Sequence, residues 1–418
     1  MPQLEIETMT LGPYGVGHLD GKTVMVPNAV PGDLLEVRIK LQRRDYSVAE
    51  IERVLRPGPN RRHPPCPFLP RCGGCDWQQI SYPAQVELKA RLIAGELSRA
   101  VGIEVSPENL IEPAPAELGY RSRIRLQVGA GGKLGFNEMG SNRPVEIDRC
   151  LVAEDGIELD SARALAKALD RRCEEIEIVR HDRRLVLVAY LGKPPAAGEV
   201  ERARRILKID RAPAGIILRA PRSRLVLGDA TTTIELEDGL TLEVEADAFS
   251  QVNHVQNRKL IALAMEMAAI APGTPMLDLF CGAGNFSLPA ARRGADVLGV
   301  DADRIAVAAA ERNAKRLGLT SARFVAMEAA ETARFLRRAG YKPQVAILDP
   351  PRSGARELME MLRELHPTIV IYVSCNVSTL ARDLRSLLGG GYKLDRVRAL
   401  DFFPNTHHAE IAARAVLT

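Results

Sequence analysis

Two short runs near the C-terminal end constrain this chain more than any other part of it: Leu348-Asp349-Pro-Pro-Arg352 and Ile369-Val-Ile-Tyr-Val-Ser-Cys375-Asn376. Each is a β-branched or aliphatic stretch that stops at a reactive polar residue, the pattern of a buried parallel strand. Such a strand delivers its last side chain to the carboxyl edge of an open α/β sheet, where these sheets bind ligands. A carboxylate, a thiol and a helix that begins near Thr379 are therefore expected to meet at one crevice.

The chain has 418 residues, more than one ordinary core accommodates, so two or three domains are expected. Hydrophobic content of 46% with 26% charged residues is that of a soluble globular protein. No apolar run approaches a membrane span and Met-Pro-Gln-Leu-Glu lacks a signal sequence, which points to a cytoplasmic protein without membrane contact. A monomer is expected. A net charge of +4 does not by itself identify a nucleic-acid partner. Local charge says more: Arg38, Lys40, Arg43, Arg44, Arg53, Arg56, Arg61 and Arg62 face only Asp45, Glu50 and Glu52. The odd cysteine count argues for metal binding or catalysis rather than a disulfide framework.

Short alternating runs between Gly, Pro and Asn turns fill residues 1–55, as in a small β-barrel. Their arrangement resembles the TRAM domain, an OB-like RNA-binding module. Next comes Cys66-Pro-Phe-Leu-Pro-Arg-Cys72-Gly-Gly-Cys75, where prolines exclude regular structure and glycines let backbone amides approach sulfur. This spacing wants a fourth ligand, and Cys150 is the choice, with Cys173 read as an unpartnered helix or loop thiol. Four thiolates suit zinc or a [4Fe–4S] cluster, and spacing hardly separates the two.

Val86, Leu88, Leu92, Ile93 and Leu97 mark an amphipathic helix within residues 79–101. After it, Arg121, Arg123 and Arg125 alternate on a strand and so share one face, which is costly unless it meets phosphate or acid; RNA phosphate is the expectation. Residues 129–245 read as scaffold, with 185–190, 215–219 and 231–244 as strands of one antiparallel sheet. Phe249-Ser-Gln251-Val-Asn253 opens a long helix through Ala271.

Asp278-Leu-Phe280-Cys281-Gly282-Ala-Gly284-Asn285 reads as strand, glycine loop and helix. The following strand ends in Asp301, placed for ribose hydroxyls. A dinucleotide and S-adenosylmethionine both fit this pattern. Cys281 is read as a packed residue.

For a uracil whose carbon 5 is to be methylated, a thiolate must first add to carbon 6, and a base must later remove the proton from carbon 5. Cys375 and Glu410 supply these groups. The helix start, and Arg352, would favour the thiolate. Asp349 can accept from uracil N3–H, which cytosine lacks.

Asp278-Leu-Phe-Cys-Gly-Ala-Gly-Asn-Phe-Ser, Leu348-Asp-Pro-Pro-Arg-Ser-Gly, Tyr372-Val-Ser-Cys-Asn and Phe403-Pro-Asn-Thr-His-His-Ala-Glu resemble the RNA 5-methyluridine methyltransferases, as do Phe249-Ser-Gln-Val-Asn and the Cys-x5-Cys-Gly-Gly-Cys loop. The resemblance spans essentially the whole chain. It implies Cys375 as nucleophile, Glu410 as base and Asp349 in uracil recognition. It also implies S-adenosylmethionine among Gln251, Asp278, Phe280, Gly282, Gly284, Asn285, Asp301 and Asp349, with Phe249 beside the RNA. By the same resemblance Cys66, Cys72, Cys75 and Cys150 hold a [4Fe–4S] cluster, and the helix within 79–101 packs on the catalytic domain.

The expected architecture is α/β: a TRAM-like OB barrel at 1–55, a central α+β iron–sulfur domain at 56–247 and a Rossmann-like methyltransferase domain at 248–418. Possessing both barrel and cluster is similar to the 23S ribosomal RNA enzymes, so 23S rRNA is the favoured substrate and transfer RNA the alternative. Gln79 and Asn405 stand where many relatives have histidine. A cytosine-C5 enzyme is disfavoured because Pro350-Pro351 is followed by Arg352 rather than cysteine, and an adenine-N6 enzyme because Arg352 is not aromatic. A non-catalytic iron–sulfur RNA-binding module would not need Cys375 and Glu410.

Overall fold

A computed structural model of the chain describes residues 1–169, 172–182 and 184–418. Its C-terminal part is built on an eight-stranded sheet in the order 322–326, 296–301, 275–279, 345–348, 369–374, 410–417, 392–400 and 111–112. The first five are parallel; Glu410–Leu417 runs antiparallel between Ile369–Ser374 and Tyr392–Leu400. Val345–Leu348 and Ile369–Ser374 are buried at every position, which is why they read as continuous apolar runs. The strand Ala322–Ala326 and the helix Ala329–Ala339 were not legible among the surrounding alanines and arginines.

Strand direction places the reactive groups. The parallel strands end at Leu279, Asp301, Leu348 and Ser374, so the loops that follow them share one edge. The antiparallel strand begins at that edge, where Glu410 pairs with Leu400 and Ile411 with Ser374. A base at the start of a reversed strand and a nucleophile after a forward strand thus arrive side by side.

Six strands within 3–56 form the N-terminal sheet around Leu4, Val26, Leu35 and Val37. The central sheet has seven strands, 144–146, 134–137, 123–128, 173–181, 184–191, 215–220 and 223–228. Three expectations need correction here. Strands 184–191 and 215–220 pair in parallel, because the helix Ala197–Ile206 provides the crossover. Residues 231–235 and 241–245 form a separate hairpin whose Ile234, Leu242 and Val244 pack with Leu260, Met276 and Phe286. This hairpin therefore shares the core of the C-terminal sheet, upstream of the expected boundary at 248. Cys173, expected in a helix or loop, is buried in a strand.

The helix Tyr82–Val101 closes the opposite face of the C-terminal sheet. Its Ala90, Ile93, Ala94 and Leu97 join Leu380, Leu384 and Ile411 in one core. Lys89 of this helix is fully buried, donating to Asp401 Oδ1 at 2.6 Å and to the Phe403 carbonyl at 3.2 Å. Lys89→Ala leaves the buried Asp401 side chain without its ion-pair partner, and chemical denaturation should register a loss of about 3–5 kcal/mol. No helix among the described residues is long and apolar enough to cross a membrane.

Candidate active site

Cys375 follows the last strand residue and precedes the helix Val377–Leu388, whose N-cap is Asn376. The helix starts earlier than expected because Asn376 Oδ1 accepts from the amides of Ser378 and Thr379. Cys375 is half-buried in a cavity of about 250 Å³ that also meets Leu11, Arg352, His407 and His408. Burial, helped by the negative potential of Glu410, pushes the thiol up to about 11, and the neighbouring Arg352 works against that rise. Desolvation of the thiolate is the largest of these effects.

Glu410 is buried and Asp349 half-buried, and both carboxyls have raised pKa values. Desolvation is the main cause for each; Asp349 raises Glu410 further, and Arg352 opposes that. Gln251 Nε2 donates to Asp349 Oδ2 at 3.3 Å, bringing the segment before the helix His254–Ala268 to the same edge. Phe249, two residues earlier, is 74% exposed, a large apolar side chain left in solvent next to the crevice.

On the other side of the edge, Phe280 and Gly282 adopt left-handed conformations and Gly282 N–H donates to Asp301 Oδ2 at 2.9 Å. A Cβ added at Gly282 would meet nothing within 4 Å, so the space over the loop is open. At Gly284 a Cβ would come within 2.8 Å of Leu288, and only glycine lets the following helix pack this closely. Asp278 lies wholly buried beneath the loop and accepts from Ser287 Oγ at 2.5 Å, and burial lifts its carboxyl to about 7. The Asn285 amide is paired with Asn257 at 2.9 and 3.0 Å, tying the glycine loop to the preceding helix.

The three arginines do not act as a set. Arg123 is buried, paired with Glu177 at 3.2 Å and bonded to the Ala246 and Ala248 carbonyls, so it is an internal staple rather than a phosphate contact. Arg125 pairs with Glu177 and lies over the Tyr190 ring. The acid that relieves this like-charged strand comes from the neighbouring strand, which sequence alternation could not show. Arg121 precedes the strand and lies over the Phe403 ring, 5.5 Å from its centroid.

Cys66, Cys72, Cys75 and Cys150 line one cavity of about 160 Å³ together with Arg121. Burial raises the thiols of Cys72, Cys75 and Cys150, that of Cys75 to about 12. Among the described residues no three Cys, His, Asp or Glu side chains gather as the coordination sphere of one metal ion.

The cysteine loop is bolted to the segment that carries Glu410. Asp76 and Trp77 amides donate to the Asn405 carbonyl at 3.2 and 3.0 Å. Asn405 also receives Arg62 and Gln85 on Oδ1 and donates from Nδ2 to the Glu117 carbonyl. Asn405 thus braces this segment, while Gln79 donates to the Asp76 carbonyl at 3.0 Å. Asp76, His407 and His408 were not singled out from the sequence, although Asp76 follows Cys75 directly and the histidines lie within a quoted motif.

The pattern of the tRNA (uracil-5-)-methyltransferase family matches residues 198–414. The 23S rRNA (uracil(1939)-C(5))-methyltransferase RlmD of Shewanella amazonensis is 35% identical over 412 residues, 95% of this chain and 91% of that protein. The chain belongs to the RNA uracil-C5 methyltransferase family. RlmD of Pectobacterium atrosepticum is 33% identical over 98% of this chain and 93% of its own length. The crystal structure of Pyrococcus abyssi tRNA (uracil-54, C5)-methyltransferase with S-adenosyl-L-homocysteine superposes with a TM-score of 0.75, covering 99% of this chain and 100% of that one. At 23% identity this likeness speaks for the fold of the family member described here.

Proposed function

We propose that this family member methylates carbon 5 of a uridine in 23S rRNA, using S-adenosylmethionine. The observation that carries the reading is the meeting of Cys375, Asp349 and Glu410 at one sheet edge, beside an open glycine loop. The choice of ribosomal RNA rests on the relatives that match nearly full length.

The cofactor supplies an electrophilic methyl group. Gly282, Phe280, Asp301 and Gln251 are the residues that would hold it, with Asp301 toward the ribose hydroxyls. Cys375 loses its proton and adds through sulfur to carbon 6 of the flipped uracil, and the electron pair of the C5–C6 bond moves toward O4. Carbon 5 takes the methyl group. Glu410 removes the remaining proton from carbon 5, the C5–C6 double bond re-forms and the thiolate departs. Asp349 accepts from N3–H, and the exposed Phe249 offers a stacking face to the RNA.

The N-terminal sheet would act as a TRAM-like RNA-binding barrel, its Arg43 and Arg44 near an exposed hairpin tip. The four cysteines, which line one cavity with Arg121, would be the residues to hold a [4Fe–4S] cluster, the group that the family resemblance implies. Uracil methylation needs no electron transfer, so this group would serve structure. Cys72→Ser, purified anaerobically, is expected to lose bound iron, acid-labile sulfide and visible absorbance together.

The deciding experiment incubates unmethylated 23S rRNA and transfer RNA with anaerobically purified protein and labelled S-adenosylmethionine, then maps the label by mass spectrometry. Labelled 5-methyluridine confined to 23S fragments is the expected result. Label in transfer RNA instead would overturn the substrate while keeping the reaction.

A further inference from the structure

A continuous set of contacts leads from the cysteine loop to the proposed nucleophile. Asp76 Oδ1 accepts the His407 backbone N–H at 3.0 Å, and Asp76 Oδ2 lies 2.5 Å from His407 Nδ1. The His407 ring lies against that of His408, their centroids 3.9 Å apart. His408 Nε2 is 3.1 Å from Arg352 Nη2. A guanidinium can only donate, so His408 Nε2 is the acceptor and the ring is held as the Nδ1–H tautomer. Burial keeps His408 neutral, its pKa pressed down to about 3. The Arg352 backbone is fixed separately, its carbonyl accepting from Asn376 Nδ2 and Thr379 Oγ1 at 3.2 and 3.3 Å. Arg352 lines the same cavity as Cys375, and its charge opposes there the negative potential of Glu410 and Asp349.

We propose that Asp76 and His407 are positioning residues which, through His408, hold the Arg352 guanidinium against Cys375, so that the cysteine loop sets the reactivity of the nucleophile. Geometry favours this over a simple loop staple. A staple needs only the Asp76 bond to the His407 backbone. The second carboxylate oxygen instead fixes the His407 ring, and that ring packs on the acceptor for Arg352. A cationic donor held beside a thiol stabilises the thiolate, and its effect depends steeply on where it is held.

The inference rests on Cys375 being the nucleophile, and its test reads that thiol directly. The rate of Cys375 alkylation by iodoacetamide is followed by peptide mass spectrometry between pH 6 and 10 on the full-length protein. Asp76→Asn, His407→Gln and Arg352→Gln should each slow alkylation at pH 8 about three- to tenfold by moving the thiol's titration upward. Asp76→Asn combined with Arg352→Gln should be no slower than Arg352→Gln alone, because both act through one guanidinium. His407→Gln lies outside the cysteine loop but touches it through Asp76, so its slowing is scored at a bound-iron content equal to wild type, which separates positioning from damage to that site, and Asp76→Glu should restore part of the rate. Wild-type alkylation rates in Asp76→Asn and His407→Gln, or slowing that multiplies in the double variant, would overturn the proposal. Covalent trapping of 5-fluorouridine RNA by the wild type is scored in parallel; its absence would remove the nucleophile assignment while leaving the alkylation comparison to stand by itself.

Discussion

Cys375→Ala should abolish methyl transfer to RNA, with a loss on the order of 10⁴-fold or more, and should also abolish the covalent complex with 5-fluorouridine RNA. The two losses belong together. Without sulfur on carbon 6, carbon 5 is too poor a nucleophile to take the methyl group, and no other side chain at this edge can substitute. Cys281 is the only other thiol of the C-terminal domain, and it is buried among packed residues with its pKa raised well above the ordinary value. A gel-shift assay under denaturing conditions reads the adduct, and a filter assay with labelled cofactor reads the transfer. Trapping by Cys375→Ala equal to that of wild type would remove the assignment.

Glu410→Gln should give the opposite covalent phenotype. Addition and methyl transfer need no base at carbon 5, whereas elimination does, so the methylated adduct should accumulate on ordinary uridine RNA. Turnover should fall about 10²–10⁴-fold, the range for loss of a general base. The same variant changes stability in a pH-dependent way. The Glu410 carboxyl has its pKa raised in the folded protein, chiefly by burial, so the fold binds this proton more tightly than the unfolded chain does. Stability is therefore fully present below the unfolded carboxylate pKa and is lost as pH rises through the raised value. Glutamine removes that loss, and the gain in denaturation midpoint over wild type should be larger at pH 8 than at pH 5. A variant that traps no adduct and releases product at the wild-type rate would rule Glu410 out as the base.

The sheet edge was legible because its strands are buried on both faces and end abruptly, which leaves Asp349 and Cys375 conspicuous in sequence. Asp301 was legible for the same reason, and Glu410 through the motif that precedes it. Arg123 misled, because a strand's face charge looks available until its partner, Glu177, is brought in from distant sequence. The hairpin at 231–245 misled in another way: alternation predicts strands but does not say which core they join. Asp76, His407 and His408 carry no local pattern. Their meaning lies in contacts that span more than three hundred residues of chain, such as Asp76 to His407.

Those contacts bear on how such a protein can change over generations. The motifs of chemistry lie within 248–418, yet the turn that presents Glu410 is held by Arg62, Asp76, Gln85 and Lys89, all far upstream. The N-terminal and C-terminal parts are thus not separable cassettes. A recombination that swaps the N-terminal half for that of a relative must bring matching residues at 401–407, or else it strands a buried lysine and a set of buried amides without partners. Lineages of this architecture should therefore diverge by compensated pairs across that seam, with position 405 changing in step with the loop that faces it.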